Sequence, residues 1–236
     1  SYTMSGGASI LNCSGTIQVA GIGHGTFTQD AGAVTTENIY DSFNPGGIGE
    51  YTLNGGSVSI TSYLSIGYQG TGTFTQTGGT VTSAHMQLAE GPNGNATYNL
   101  QSGSLTVNAS EDIAAGSGTA VFHQTGGTHT MTGNLFISHN PGSQGTYNLD
   151  GGTLNIAGNI ENNGTMTEAP AAILNLGGTV LGNGIIQTNG ALALANQTNI
   201  NTGTIKIAGG TASGQTLIVG LDAPDPTTHN NVPGNG

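Results

Sequence analysis

The sequence predicts an all-β protein, a right-handed parallel β-helix (a solenoid) with about 24 residues per coil and roughly 9–10 coils. Three observations predict it. An aromatic residue recurs every 23 to 25 positions, a pair of small residues stands four and five positions after most of these aromatics, and apolar residues alternate with polar ones between them. A fixed period of 20 to 50 residues is typical of solenoids, in which each repeat buries its inner face only against its neighbours.

The aromatic residues define the start of each coil and are expected to form a ladder inside the solenoid. They are Tyr2, Phe27, Tyr51, Phe74, Tyr98, Phe122 and Tyr147. The small pairs are expected at a corner of the coil, because such a corner requires a positive φ or a close approach of two backbones. Most of these pairs are Gly-Gly, as at Gly55-Gly56 and Gly126-Gly127.

The stretch from Tyr51 to Gly70 shows the strands of one coil. Its apolar residues fall into three short runs with a period of two, separated by Gly55-Gly56 and by Thr61-Ser62. This pattern predicts three half-buried strands and three corners in each coil. Stacked coils would then pair strand on strand at about 4.8 Å.

A second period overlies the first, because odd coils open with Tyr followed by an aliphatic residue and most even coils open with Phe followed by Gln. The glutamines are Gln29, Gln76 and Gln124. If the aromatics face inward, these amides do too, and each must find buried partners. We expect those partners among backbone groups at the neighbouring glycine corner.

The chain divides into residues 1–163, which carry regular β-helix repeats, residues 164–221, an irregular continuation, and residues 222–236, a C-terminal tail. In residues 25–48, the stretch ENIYDSFNPGG is expected to replace the third strand with a protruding loop. The corners at 67–72, 89–96, 115–120 and 138–145 vary most between coils, and variable corners are where binding is expected. The chain begins within a repeat at Ser1-Tyr2, so we expect a processed or excised form.

Composition and charge exclude several classes of function. Charged residues make up 6% of the chain, the net charge is −11, and Lys206 is the only Lys or Arg. Binding to nucleic acid or to anionic membranes depends on basic residues, so neither is expected. No run of about 18 apolar residues is present, so no insertion into a membrane is expected.

Catalytic and metal sites are expected to be absent, with one exception left open. Asp41, Asp112 and Glu161 follow the aromatic of their own coil at one and the same spacing, so they are expected to share a face, but on coils too far apart for a glycosidase pair. We therefore predict no enzyme and no cofactor. Calcium stays open, with Asp41, Glu111 and Asp112 as candidate loop ligands. The six His are expected at the surface or at corners.

Blocks such as GTFTQTGGTVT and GTYNLDGGTLNIAGN resemble the β-strand repeats of bacterial autotransporter-associated and sorting-signal-bearing surface proteins. The resemblance covers residues 1–163 clearly and 164–220 loosely. It implies a parallel β-helix at the bacterial cell surface or outside the cell, in an adhesin, a sheath or a biofilm matrix.

The sequence-based hypothesis is an extracellular structural protein, a subunit of an end-to-end stacked β-helical filament or surface fibre. Its partners would be copies of itself, forming a homopolymer, because no polar cap precedes the first coil and the tail would clamp the next subunit. The residues assigned to assembly are Tyr2, Asp222, Pro224, Asp225, Pro226, Val232 and Pro233. The alternative is a segment of a large adhesin that binds glycan or another cell through its corner loops.

Overall fold

The computed structural model describes residues 1–194, 198–200, 204–207, 211–214 and 217–219. These residues form strands, turns and bends without a helix, and the strands pair in parallel in two sheets of ten and fifteen strands. The prediction of an all-β parallel β-helix is therefore confirmed. The strands, in chain order, are β1 (Tyr2–Met4), β2 (Ile10–Ala20), β3 (Gly23–Gln29), β4 (Ala33–Ser42), β5 (Gly47–Leu53), β6 (Ser57–Ile66), β7 (Thr71–Gln76), β8 (Thr80–Leu88), β9 (Asn95–Leu100), β10 (Ser104–Ile113), β11 (Thr119–Gln124), β12 (Thr128–Met131), β13 (Asn134–Ile137), β14 (Gln144–Leu149), β15 (Gly152–Ile156), β16 (Ile160–Asn162), β17 (Thr165–Glu168), β18 (Ala172–Leu176), β19 (Val180–Leu181), β20 (Ile185–Thr188), β21 (Ala191–Leu194), β22 (Thr198–Ile200), β23 (Thr204–Ile207), β24 (Thr211–Gly214) and β25 (Leu217–Val219).

The ten-stranded sheet contains the opening strand of each coil, in the order β1-β3-β5-β7-β9-β11-β14-β17-β20-β23. The aromatic residues are in register along it, from Tyr2 opposite Phe27 to Phe122 opposite Tyr147. Neighbouring ring centroids lie 4.6 to 5.0 Å apart. The ladder is therefore a continuous stack of rings through the core, and its side chains from Tyr51 to Tyr147 are fully buried.

The second part of each coil differs from the predicted pair of strands. In the first five coils a single long strand (β2, β4, β6, β8 or β10) runs through the expected corner and bends there, with an irregularity in its register. A β-bulge turns the chain while most ladder hydrogen bonds are kept, so a separate corner is unnecessary. From the sixth coil onward the strand is divided, as in β12 and β13.

The coils shorten within the stretch predicted to be regular. Tyr147 pairs with Met166, Met166 with Ile186, and Ile186 with Ile205, so each of these coils is three to six positions shorter than the coils from Tyr2 to Tyr147. The largest loss is at one corner: residues 138–143 separate β13 from β14, whereas only Asn163 and Gly164 separate β16 from β17. The later coils are thus a shorter repeat of the same architecture, and their inward ladder positions carry Met166 and Ile186 in place of aromatic rings.

The small pairs form the corner that follows each opening strand, as predicted. The second glycine has a positive φ at Gly56, Gly79, Gly103, Gly127 and Gly152. A Cβ on Gly103 would lie 2.3 Å from the carbonyl oxygen of Gly79, in the previous coil. Glycine is therefore needed there for both the backbone conformation and the close stacking of coils.

One expected loop is wrong. The stretch from Glu37 to Ser42 belongs to β4 and pairs with β2 and β6, so only residues 43–46 form a corner. Ile39 and Asp41 are fully buried there. The polar residues of this stretch predicted a loop, but the structure has a strand there.

Candidate functional site

The feature most relevant to the filament hypothesis is the end surface of the solenoid, on which a further coil could stack. At the end of the solenoid formed by β1 and β2, Tyr2 is 51% exposed and Leu11 is only half-buried, whereas Tyr51 and Val58, in the same positions two coils along, are fully buried. Tyr2 thus belongs to the ladder by register, but its ring packs on Phe27 alone. This end presents ring, aliphatic side chain and strand backbone in the arrangement that inner coils use for stacking.

The other residues assigned to assembly lie outside the residues that the structure describes. They are Asp222, Pro224, Asp225, Pro226, Val232 and Pro233.

Successive coils are joined in the core by a hydrogen bond between Tyr and Gln. The hydroxyl groups of Tyr51, Tyr98 and Tyr147 donate to the Oε1 atoms of Gln29, Gln76 and Gln124, each at 2.7 Å. The amide nitrogen of Gln76 donates in turn to the carbonyl oxygens of Gly79 and Ser104, at the glycine corner and in the next coil. The two-coil period therefore has a physical cause, because a Phe-Gln coil supplies the acceptor and the next Tyr coil supplies the donor.

The core also holds a His-Glu pair. Glu111 and His129 are fully buried, and the Oε2 and Nε2 atoms lie 2.9 Å apart, although the alignment is too poor for a normal hydrogen bond. The Nδ1 atom of His129 lies 3.0 Å from the Tyr147 hydroxyl oxygen, which already donates to Gln124. Nδ1 must therefore carry a proton and donate it to Tyr147, which leaves Nε2 to face the carboxyl group. The expectation of a surface or corner position was wrong for His129.

Each member of this pair replaces an aliphatic residue. Glu111 pairs in register with Met86 and Leu135, and His129 pairs with Leu105 and Leu154. A lone polar side chain in either column would be buried without a partner. Glu111 lies on β10 and His129 on β12 of the next coil, so only the folded coil brings the two together.

Asp41 is a buried acid without such a partner. Both carboxyl oxygens are shielded from solvent and make no hydrogen bond of normal geometry. Burial raises its pKa well above the usual range, the Thr73 backbone amide opposes this increase, and the charge of Glu50 adds to it. Asp41 is thus held in its neutral form inside the solenoid.

The predicted calcium ligands do not converge. Asp41 and Glu111 point into the core from β4 and β10, and Asp112 points outward from β10, so none of them lies in a loop. Asp41 and Asp112 do not share a face, contrary to expectation, whereas Asp112 and Glu161 lie in one outward column with Phe136 between them. Among the described residues no three His, Cys, Asp or Glu side chains are grouped closely enough to hold a metal ion.

Outward His side chains pair with acids on the next coil. Nε2 of His123 lies 2.6 Å from Oδ2 of Asp150, and Nδ1 of His139 lies 3.4 Å from Oε1 of Glu161. Burial raises the pKa of Asp112 to about 6, the charge of His139 opposes this increase, and neighbouring acids reinforce it. Lys206 is exposed on β23.

Two shallow grooves occur where the coils shorten. One, of about 350 Å³, lies beside the corner 138–143, and the other, of about 440 Å³, is lined by residues of β17 and β20 together with Lys206. Asn163 and Asn183 line both grooves. They arise because the wide sixth coil overhangs the narrower coils that follow.

Five aromatic residues outside the ladder form a feature that the sequence analysis missed. All five lie on the outer surface of the third strands or at the corner that follows them. They are Tyr40, Phe43, Tyr63, Tyr68 and Phe136. The sequence could have shown this group, since these five are the Tyr and Phe residues that remain once the ladder is assigned.

Comparisons of the chain with protein-family models, with curated proteins and with solved structures found no match in any of the three. The resemblance to bacterial surface repeats therefore stays a prediction. No helix that could cross a membrane is present in the part of the chain that the structure describes.

Proposed function

We propose that the chain is an extracellular structural protein of bacteria, a subunit of a β-helical filament or surface fibre in which copies stack end to end. The observation that supports this most is the end formed by β1 and β2, where Tyr2 is exposed and Leu11 is only half-buried, although Tyr51 and Val58, in the same two columns, are fully buried. A head-to-tail contact of this kind does not close on itself and extends as a filament.

The chemistry of the stacking surface favours a second coil as its occupant. Strand edges offer backbone hydrogen bonds, and the exposed Tyr2 ring can continue the ladder. Within the ladder, the rings of Phe27 and Tyr51 already stack 4.6 Å apart. A coil supplied by another copy would pair with β1 along the strand edge and place an aliphatic ladder residue on Tyr2, because the later coils carry Met166 and Ile186 in that position.

The proposal is tested by placing a charge in the contact. Leu11→Glu puts a carboxylate in the inward column between stacking coils, where it would be desolvated without a partner. Sedimentation velocity of the intact chain should show large polymers for the unaltered protein and a shift to small species for Leu11→Glu. Ile173→Glu is the matched control, because Ile173 is an exposed isoleucine on an inner coil, β18, that pairs on both sides. Equal polymer size for Leu11→Glu and the control would contradict the proposal.

The adhesin reading is the second candidate function. The observation that favours it is the one-sided distribution of the outward-facing aromatic residues, from which the next inference is drawn.

A further inference from the structure

The aromatic residues of this chain are separated between the core and one face. The sequence has seven Tyr, five Phe and no Trp. Seven of these rings form the ladder, and the remaining five share the outer surface of the third strands and their corners. This separation needs a physical explanation. Single exposed rings scattered over a protein surface are normal and need none.

The register explains why the rings point outward. Tyr40, Ser65, Gln87, Asp112 and Phe136 occupy one column of paired residues. The column beside it, toward the chain's N-terminal side, consists of buried aliphatic residues and Glu111. Since side chains alternate along a strand, the Tyr40 column must point outward.

Four of the rings are concentrated on the second and third coils. The ring of Phe43 stacks on that of Tyr68, with centroids 5.0 Å apart and planes 8° apart, and meets the ring of Tyr40 edge-on at 5.2 Å. Tyr63 stacks on His85 at 4.9 Å. We call Tyr40, Phe43, Tyr63 and Tyr68 the aromatic face.

The aromatic face is open on the side of the first coil. Phe43 is 38% exposed. The backbone nitrogen of Phe43 bonds to Ala20, so the first-coil residue in register with Phe43 is Gly21, which has no side chain to cover the ring. A planar apolar surface is thus left for a ligand.

The polar groups next to the aromatic face are acceptors and neutral donors. The Oε2 atom of Glu90 accepts a hydrogen bond of 3.4 Å from Ser65, and Gln87 and Asp112 follow in the Tyr40 column. The nearest residues include no Lys or Arg, since the only one in the chain is Lys206. An anionic ligand would meet repulsion here, whereas a ligand rich in hydroxyl groups would find both acceptors and apolar rings.

We propose that the aromatic face binds an uncharged polysaccharide. The C–H face of a sugar ring would pack on the open face of Phe43, which Tyr68 supports from the other side, and its hydroxyl groups would donate to Glu90 and to the carbonyl groups of the corners. A few polar groups beside aromatic surface are typical of sites that orient a ligand. This inference deepens the adhesin reading and does not depend on filament formation.

The test is affinity electrophoresis of the intact chain through native gels that contain hydroxyethyl cellulose, mannan, dextran or polygalacturonate. At least one of the three uncharged polymers should retard the protein, and polygalacturonate should not. Phe43→Ala combined with Tyr68→Ala should raise the dissociation constant about tenfold or more, because ring truncation at the centre of a contact removes most of its energy. Ile48→Ala is the matched control, since Ile48 is 45% exposed on the other sheet.

Three outcomes would overturn the proposal. They are retardation by none of the uncharged polymers, retardation that the double variant leaves unchanged, and a double variant that instead loses self-association in sedimentation, which would make the aromatic face a protein interface. Thermal melting of each variant shows whether it is folded. Failure of the glycan test would leave the filament proposal untouched, because the two rest on different surfaces.

Discussion

At the scale of single residues, polar side chains in this core are satisfied when they come in pairs on successive coils. Each Tyr-Gln pair supplies one donor and one acceptor, and His129 faces Glu111 of the previous coil, with Nε2 and Oε2 2.9 Å apart. Asp41 is buried alone and is kept neutral. Stability at these positions depends on whether both partners are present.

The His129-Glu111 pair gives a direct test of this dependence. His129→Leu should destabilise the protein by about 3–5 kcal/mol, because it leaves Glu111 buried and unpaired. The double variant His129→Leu/Glu111→Leu should recover most of that loss, since both columns are otherwise aliphatic. Urea unfolding of the single and double variants measures the coupling. A double variant less stable than either single one would contradict the account.

The buried carboxyl group of Asp41 is expected to make the stability of the folded protein depend on pH. Its folded pKa is raised, so the stability it contributes is complete below the unfolded value of about 3.9 and is lost as the pH rises through the folded value. Asp112, whose pKa is raised to about 6, acts in the same direction. The melting temperature should therefore fall between pH 5 and pH 8.

Asp41→Asn should weaken this fall and add about 1 kcal/mol or more at pH 8, because no buried carboxylate then has to form. Asp30→Asn, an exposed acid on the same coil, serves as the control. Thermal melts at the two pH values check the prediction. A melting temperature that rises with pH in the unaltered protein would count against a buried neutral Asp41.

At the scale of elements, the glycine corners after the opening strands could be predicted from sequence more fully than the bends within the long strands β2, β4, β6, β8 and β10. The small pairs marked their corner, since the backbone conformation requires glycine. The second bend occurs within a continuous strand, where the bulge adds one residue in some coils and not in others. Counted from the aromatic of its own coil, Glu111 lies one position later than Ile39, although both belong to the same buried column.

This difference of one position explains the errors about the acids. A slip of one position turns a side chain from the outside of a strand to the inside, so equal spacing from the aromatic placed Asp41 and Asp112 on one face when they lie on opposite ones. The inward Gln residues were predicted correctly because they lie two positions after the aromatic, before any bulge. The Glu111-His129 contact spans two coils and could be found only once the register was known.

The glycine corner predicts a position-specific cost. Gly103→Ala should destabilise the protein by about 1–2 kcal/mol or more, because Ala disfavours a φ of 84° and its Cβ would overlap the carbonyl group of Gly79. Gly15→Ala is the control, since a Cβ there meets no atom within 4 Å. Urea unfolding should separate the two variants, and equal stabilities would show that the corner tolerates side chains.

At the scale of the whole molecule, each coil supplies the strand edges and the inward side chains on which the next coil packs. The repetition, the overall parallel pairing and the expected coil length were all readable from sequence, because period and alternation are properties of the residues themselves. The later coils were predicted only as an irregular continuation, whereas the structure gives them a nearly constant spacing of 19 to 20 positions. That spacing arises from a corner loop whose length carries no periodic signal.

The central claim is that coils stack between molecules as they do within one. Electron microscopy of the native, untagged protein in negative stain tests it most directly. The account predicts long unbranched fibres with an axial repeat of about 45 Å, or a small multiple of it, which corresponds to a stack of nine to ten coils at about 4.8 Å each. Discrete short rods at every protein concentration would contradict it.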